Sequence, residues 1–510
     1  MSNHKIVKNT AIVLACAVVA KLLSYAVEAL IAATLGVGDE ADAYAATTSV
    51  FNIIYPILDI GIWNVFLPTY KAKLSRDGED SADHIANAAI MLFTMITLAA
   101  VVFLAVFSGP IISVVTPGFN PDKQALAAKL LRISAPSYVL LALASIIGAM
   151  LQSHNRYLGS QLREIGSHLS KIIFMLITFR CYGVVAAVLA MIVGSIFRIL
   201  IQLPFINWKW RFRPELKRDS PDIKTMIRGL PAAAMTSAIA HINGLVDKII
   251  ASNGESGAIS CLNYGHKLMS VFNGLFSTAI STATYPVIIE HISRGEEEEL
   301  KQLIYRTLRI LLFLIIPVTC FCVAFSQEIV TLAFERGAFD HSATLITTGI
   351  FAGYSLQMLP QALTTILSNV YYGYKDPKTI LYLSIFNITL NLGLNFLLFP
   401  VMGVSGLAFA TSIATFITLV VKFFVIRKHI RLTLRYCLGD SGKVLLVSLI
   451  CVAAAYLLFK LWLRMPAILM LLLSAILCLV LFIGLCTLLR IRELEEAKTM
   501  IRKRLHRRKG

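Results

Sequence analysis

Ionisable side chains recur at helical spacing inside long apolar stretches of this sequence. In the first stretch, Lys21 and Glu28 are two helical turns apart and therefore lie on one face of a helix. In the second, Tyr55 and Asp59 share a face in the same way, one turn apart. Because charge inside a membrane is expensive, such residues usually face a polar cavity or an opposite charge. The pattern predicts a water-filled cavity that binds a charged substrate.

Two later stretches carry the same pattern. His241 and Lys248 lie on one helix face with Asp247 beside it, and Ser260 and Lys267 follow on the next helix. Small polar residues can instead hold helices together, at about 0.6 kcal/mol for each hydrogen bond, and this alternative stays open for Ser260. A buried ammonium needs an anion or water, which favours a substrate contact for the lysines. The predicted substrate-binding residues are Lys21, Glu28, Asp42, Tyr55, Asp59, His241, Lys248, Ser260 and Lys267.

Signatures of catalysis are absent from the sequence. It has no H-E-x-x-H, no P-loop and no glycine-rich nucleotide turn after a strand. Asp39, Glu40 and Asp42 cluster after the first apolar stretch, where a metal-binding group is open but a solvated loop is the simpler interpretation. No polar segment exceeds about 25 residues, which is too short for a soluble domain. We predict a transporter and not an enzyme. A membrane glycosyltransferase is disfavoured, and a scaffold that recruits partners through a basic tail stays open.

The elements that must position these residues are membrane helices. Of the 510 residues, 57% are hydrophobic and only 15% are charged, whereas a soluble domain has about 25% charged residues. Apolar stretches of about 20 residues recur along the chain, each long enough to cross a bilayer core of about 30 Å. They predict an all-α polytopic membrane protein with about fourteen transmembrane helices. The predicted spans are 10–35, 43–69, 86–114, 125–151, 160–179, 182–206, 223–252, 256–288, 303–325, 343–372, 377–400, 404–426, 442–462 and 466–489.

Charge is distributed unevenly between alternate loops. The net charge is +18, and the basic residues concentrate in 208–228, in 422–443 and in the tail. The opposite loops, such as 36–41 and 253–257, are short, glycine-rich and acidic. The positive-inside rule therefore places both termini in the cytoplasm. This distribution explains the positive charge without any nucleic-acid partner.

The sequence also repeats itself at an offset of about 219 residues. Residues 27–32 match 246–251, and 143–146 match 363–366. An offset of six helices preserves orientation, so we predict two parallel six-helix repeats plus two C-terminal helices. The predicted domains are an N-terminal lobe over 1–207, a basic cytoplasmic linker over 208–222, a C-terminal lobe over 223–426, two further helices over 427–490, and a basic cytoplasmic tail over 491–510.

Several motifs together resemble the MurJ (MviN) family of lipid II flippases, within the superfamily of multidrug, oligosaccharidyl-lipid and polysaccharide exporters. The most specific stretches are F-E-R-G-A-F-D over 334–340, Y-Y-G-Y-K-D-P-K-T over 371–379 and G-V-S-G-L-A-F-A-T over 403–411. Leu35-Gly36 and 42–44 match the family's first hairpin. The likeness covers nearly the whole chain.

The resemblance implies a flippase with a central cavity that opens alternately to each side of a bacterial plasma membrane. Its substrate would be undecaprenyl-diphosphate carrying the disaccharide-pentapeptide of peptidoglycan, moved from the inner to the outer leaflet. The last two helices would form a groove for the lipid tail. Membrane lipids, and other proteins of cell-wall synthesis, would be its partners.

The sequence departs from the family in its cavity. The family typically has arginines there, whereas Lys21 and Lys267 stand at two such places and Val27 and Tyr55 at two others. Lysine holds phosphate as a point charge without the bidentate fork of arginine. A flippase for another undecaprenyl-diphosphate-linked saccharide therefore stays open. So does a cation-coupled multidrug exporter, whose site would use acids: Glu28, Asp42, Asp59 and Asp247.

Sodium is the one cofactor that the resemblance leaves open. Some family members bind sodium in the second lobe, and the matching positions here are Asp247, Asn391, Asn395 and Thr411. Asn391 and Asn395 are four residues apart and share a helix face. Oxygen ligands suit a hard cation, although neutral amides supply less charge than carboxylates.

Overall fold

The computed structural model describes residues 3–206, 208, 210, 212–214, 221–462, 466–496 and 498–499. Most of the predicted basic linker and tail lies outside these residues. The described chain is built from helices and contains no strand. Nine helical segments within it are long and apolar enough to cross a membrane. The predicted all-α membrane class is therefore confirmed, and the predicted number of about fourteen crossings is consistent with the structure.

The described residues form eighteen α-helices. The first nine are α1 Asn3–Leu35, α2 Asp39–Gly61, α3 Leu67–Val115, α4 Pro121–Ser134, α5 Ser137–Ser153, α6 Tyr157–Tyr182, α7 Val184–Leu200, α8 Pro221–Ala251 and α9 Ala258–Arg294. The others are α10 Glu297–Ala324, α11 Ser326–Phe334, α12 His341–Ser355, α13 Met358–Gly373, α14 Pro377–Met402, α15 Val404–Val425, α16 Leu434–Leu438, α17 Ser441–Ala455 and α18 Ala467–Leu488.

Two predicted spans are each broken into two helices. The span 125–151 contains the end of α4 and the start of α5, and Pro136 lies at the break because it has no N–H to continue the helical ladder. The span 343–372 is broken in the same way between α12 and α13. The breaks fall at nearly the offset of the sequence repeat. In α3, a kink at Gly78, where φ is 82°, divides the helix.

Two of the family-like motifs contain an aspartate that caps the N-terminus of a helix. Asp340 accepts a hydrogen bond from the Ala343 N–H at 2.8 Å and so caps α12. Asp376 caps α14 through the Thr379 N–H at 3.2 Å, with Pro377 in the first turn. The Ala343 N–H lowers the pKa of Asp340, and hydrogen bonds from Lys428 and His429 lower that of Asp376. Both carboxylates are therefore ionised caps at neutral pH.

Packing divides the chain into two compact units. The first contains Met1–Asn263 and Arg336–Phe339, and the second contains Tyr264–Glu335 and Asp340–Gly510. Helix α8 and the start of α9 thus pack with the first unit, whereas the sequence repeat assigned them to the second lobe. Close packing and internal repetition are different criteria, so the predicted lobes stay a prediction. The core of the first unit includes Phe66, Tyr70, Phe93 and Met150.

Candidate functional site

Asp42 is a buried anchor in the first unit. Its side chain is only 1% exposed. One carboxylate oxygen accepts from Lys123 Nζ at 2.7 Å and from the Gly257 N–H at 2.8 Å, and the other accepts from the Ser260 N–H at 2.7 Å. The carboxylate therefore joins α2, α4 and the first turn of α9. Its predicted substrate contact stays a prediction, while these bonds define a structural role for Asp42 and for Ser260.

Lys123 is a charged residue that the sequence analysis did not single out. Its side chain is 7% exposed, and it pairs with the exposed Asp39 at 2.9 Å as well as with Asp42. Its ammonium also lies 4.2 Å from the centre of the Phe119 ring. The acidic cluster after the first apolar stretch is thus partly neutralised by a lysine about 80 residues away. Such a distant partner leaves no periodic signal in the sequence.

The F-E-R-G-A-F-D motif places its glycine against the end of α1. The Ala338 N–H donates to the Ala33 carbonyl oxygen at 2.8 Å. Gly337 has φ 63°, and a Cβ there would lie 2.2 Å from the Ala33 oxygen. Gly36 has φ 61°, and a Cβ there would lie 2.3 Å from the Ala338 oxygen. Only glycine fits this backbone crossing at either position.

Asp59 lies in a hydrogen-bonded network inside the first unit. Its Oδ1 atom accepts from Ser145 Oγ at 2.5 Å, from Trp63 Nε1 at 3.1 Å and from the Tyr55 hydroxyl at 3.3 Å. The structure therefore brings together Tyr55 and Asp59, as their spacing predicted. It adds Trp63 from the π-helical turn after α2 and Ser145 from α5.

Two arginines extend this network, and the sequence analysis missed both. Arg198 donates to the Tyr55 hydroxyl at 3.0 Å and to Glu164 at 2.5 Å. Arg163 donates to Ser145 Oγ at 3.3 Å and lies over the Trp63 ring. Both arginines are less than 10% exposed. Their positions inside the apolar spans 160–179 and 182–206 were a usable signal, because arginine within such spans is rare.

Of the other predicted residues of the first unit, Asp247 on α8 is 2% exposed, whereas the others are half-buried. Lys248 donates to Ser49 Oγ at 2.8 Å, which links α8 to α2. Lys21, Glu28 and His241 are half-buried on α1 and α8. Half-buried cationic and acidic groups on membrane helices are compatible with a hydrated cavity. Their predicted contacts with substrate stay predictions.

The second unit holds Lys267 and three of the predicted sodium ligands. Lys267 is half-buried on α9. Asn391 Nδ2 donates to Thr411 Oγ1 at 3.0 Å, and Asn395 Nδ2 donates to Asn391 Oδ1 at 3.1 Å. In both hydrogen bonds, the amide nitrogen donates to an oxygen of a neighbouring side chain. A sodium site instead needs several oxygens that point toward the ion. The predicted sodium site, which also includes Asp247, stays a prediction. Within the described residues, no three His, Cys, Asp or Glu side chains form a metal-binding group.

Comparison with known proteins gives consistent matches over most of the chain. The family model described as lipid II flippase MurJ matches residues 31–478. A probable lipid II flippase MurJ of Buchnera aphidicola subsp. Baizongia pistaciae is 25% identical over 419 residues, covering 81% of each chain. That of Thermotoga maritima is 26% identical over 393 residues, covering 76% of this chain and 78% of its own.

Two solved structures share the fold. A lipid II flippase MurJ in an inward closed conformation has a TM-score of 0.76 and 23% identity, covering 92% of this chain and 96% of its own. A multidrug resistance MATE family transporter in an inward-facing conformation has a TM-score of 0.69 and 15% identity, covering 80% of this chain and 94% of its own. At these identities, the structures establish the architecture of the chain and not its substrate.

Proposed function

The chain belongs to the MurJ family of lipid II flippases, and we propose that it moves lipid II from the inner to the outer leaflet of a bacterial plasma membrane. It is a multi-pass membrane transporter and not an enzyme. The observation that carries the proposal is the family match over residues 31–478. The substrate is a lipid-linked glycan, and membrane lipids surround the protein. Other proteins of cell-wall synthesis are its proposed partners.

The physical problem is to carry a sugar-diphosphate head across hydrocarbon while its lipid tail stays in the membrane. A hydrated cavity with cationic side chains lowers the desolvation cost of the head group. Lys21 and Lys267, each half-buried in its own unit, are the cationic side chains that we propose for this role. Alternate opening of the cavity to each side then moves the head group. A potential negative inside favours outward movement of anions by about 2.3 kcal/mol per charge per 100 mV.

Complementation tests the proposed function. Expression of the chain in a bacterium depleted of its own lipid II flippase should restore growth and lipid II exposure at the outer face. An empty vector and a matched membrane protein serve as controls. The lipid II assignment would be contradicted by the following result. The chain reaches the membrane at normal level but restores neither growth nor lipid II exposure, and in vesicles it moves a different undecaprenyl-diphosphate saccharide.

The two lysines give a prediction about the substrate site. Lys21→Ala or Lys267→Ala should lower lipid II exposure by about tenfold or more at matched expression, because a charged contact to phosphate contributes about 1.5–3 kcal/mol. Lys21→Arg and Lys267→Arg should retain activity, since the charge remains. If Lys21 only neutralised Glu28, the pair Lys21→Ala with Glu28→Ala would regain activity. Full activity of the Lys21→Ala, Lys267→Ala pair would exclude both lysines from the substrate site.

The orientation in the membrane gives a further prediction. In a cysteine-free background, a cysteine at Gly254 should react with an impermeant reagent from outside, because its loop is short and acidic. A cysteine at Lys217 or Gly510, both outside the described residues, should react only after the membrane is opened. Labelling of Lys217→Cys in intact cells would reverse the proposed topology.

A further inference from the structure

A polar cavity of about 550 Å³ lies in the second unit at the start of α10. Four cationic side chains line it, and the single carboxylate among its lining residues belongs to Glu298. The cations are Lys301, Arg309, Arg431 and Arg492. Tyr305, Thr433 and Tyr436 add hydroxyl groups, and the Tyr305 hydroxyl accepts from the Thr433 N–H at 3.0 Å. This lining offers hydrogen-bond donors to an anion from several directions.

Three of the four cations already have acidic partners around the cavity. Lys301 pairs with Glu297 and Glu298 at 2.8 Å each. Arg492 pairs with Glu496 at 3.0 Å, and Arg309 approaches Glu493 at 3.9 Å. These partners hold the side chains in place. They also reduce the net positive charge of the cavity lining, so the affinity of the cavity for an anion depends on the fourth cation.

Arg431 is that remaining cation. Among the described residues it forms no hydrogen bond or ion pair. The neighbouring Ile430 and Leu432 are 1% and 3% exposed, which anchors the segment on both sides of Arg431. The Arg431 side chain is exposed and lines the cavity, and its guanidinium donors are suited to the planar, bidentate recognition of phosphate.

An apolar cavity of about 320 Å³ lies beside the same helices. Helix α10 contributes Tyr305 and Arg309 to the polar cavity and Leu308 and Leu312 to the apolar one. Helix α16 likewise contributes Tyr436 to the polar cavity and Leu434 and Cys437 to the apolar one. Val420 and its neighbours on α15 complete the apolar wall. The two cavities are therefore the polar and apolar sides of one pair of helices.

We propose that these adjoining cavities bind an anionic phospholipid, with its phosphate at Arg431 and an acyl chain along Leu308, Leu312 and Val420. A soluble phosphate would use the polar cavity and leave the apolar one without a role, whereas a phospholipid uses both. Basic pockets between membrane helices recognise anionic head groups in this way. The lining residues lie outside α17 and α18, and the site is independent of the proposed flippase substrate.

Thermal stability of the purified full chain in detergent tests the site. Titration with dioleoyl-phosphatidylglycerol should raise the Tm at lower concentration than dioleoyl-phosphatidylcholine, because a ligand stabilises the state that binds it. Arg431→Gln should weaken the apparent affinity for phosphatidylglycerol about fivefold, and Arg431→Lys should retain most of it. Arg435→Gln is the matched control, because Arg435 lies on α16 outside the cavity lining.

Substitutions on α15 test the apolar cavity separately. Val420→Trp should fill it and weaken phosphatidylglycerol binding without changing the effect of glycerol 3-phosphate. Ile413→Trp is the control, since Ile413 lies on the same helix, is equally exposed at 41% against 40%, and does not line the cavity. Equal stabilisation by the two lipids, or equal effects of Arg431→Gln and Arg435→Gln, would overturn the proposal. Equal stabilisation by glycerol 3-phosphate, unaffected by Val420→Trp, would assign the polar cavity to a soluble phosphate instead.

Discussion

Replacement of Asp42 by leucine should lower the free energy of unfolding by about 3–5 kcal/mol, because one member of a buried ion pair is removed. Lys123 would keep its charge at 7% exposure and lose its buried partner. The N–H groups of Gly257 and Ser260 would also lose their acceptor at the start of α9. Asp42→Asn should have a smaller effect, since an amide oxygen can still accept one of these bonds.

The matched control for this prediction is Asp39→Leu. Asp39 pairs with the same lysine at 2.9 Å, but its side chain is 57% exposed. An exposed ion pair contributes at most about 1 kcal/mol, so this variant should change stability little. Thermal unfolding in detergent, followed by intrinsic fluorescence, measures both variants. Equal losses at Asp39 and Asp42 would show that the lysine, and not the buried carboxylate, carries the stability.

Gly337→Ala should abolish most flippase activity while leaving the chain in the membrane. Two costs combine at this residue. Its φ of 63° disfavours any Cβ, at about 1–2 kcal/mol. In addition, the new Cβ would lie 2.2 Å from the Ala33 oxygen, so the backbone crossing with α1 must separate. The measurement is lipid II exposure at matched expression, with Gly36→Ala expected to behave in the same way.

Gly295→Ala separates strain from steric exclusion. Gly295 also has a positive φ, 69°, but nothing lies within 4 Å of the position of its Cβ. The Gly295→Ala variant should therefore pay only the cost of backbone strain, without any steric clash, and it should keep most of its flippase activity. If Gly295→Ala were as inactive as Gly337→Ala, the close approach to Ala33 would not be the reason that glycine is required.

Local features of the site were predictable from the sequence. Tyr55 and Asp59 are four residues apart, and the structure joins them through a hydrogen bond, because helical periodicity fixes which neighbours share a face. The caps at Asp340 and Asp376 follow from short-range rules of the same kind. The functional family was also recognisable from short motifs, and the match over residues 31–478 confirmed it.

Contacts between residues that are distant along the chain leave no local pattern in the sequence. Arg163 and Arg198 lie within predicted spans, yet nothing local indicates that Arg163 reaches Asp59 through Ser145 or that Arg198 donates to Tyr55. The acidic cluster at Asp42 was interpreted mainly as a solvated loop, whereas the structure buries that residue. Burial and ion pairing depend on which helices pack together, and no single segment encodes that choice.

The sequence by itself determined the membrane class and the family, because apolar length and motif order are properties of the linear chain. The tertiary structure decided what the charged groups do. Asp42 meets Lys123 and the amides of α9 because α2, α4 and α9 converge, and Gly337 meets Ala33 because two backbones cross. A buried charge is tolerated only where folding brings its partner to it, so its role can be assigned only after the fold is known.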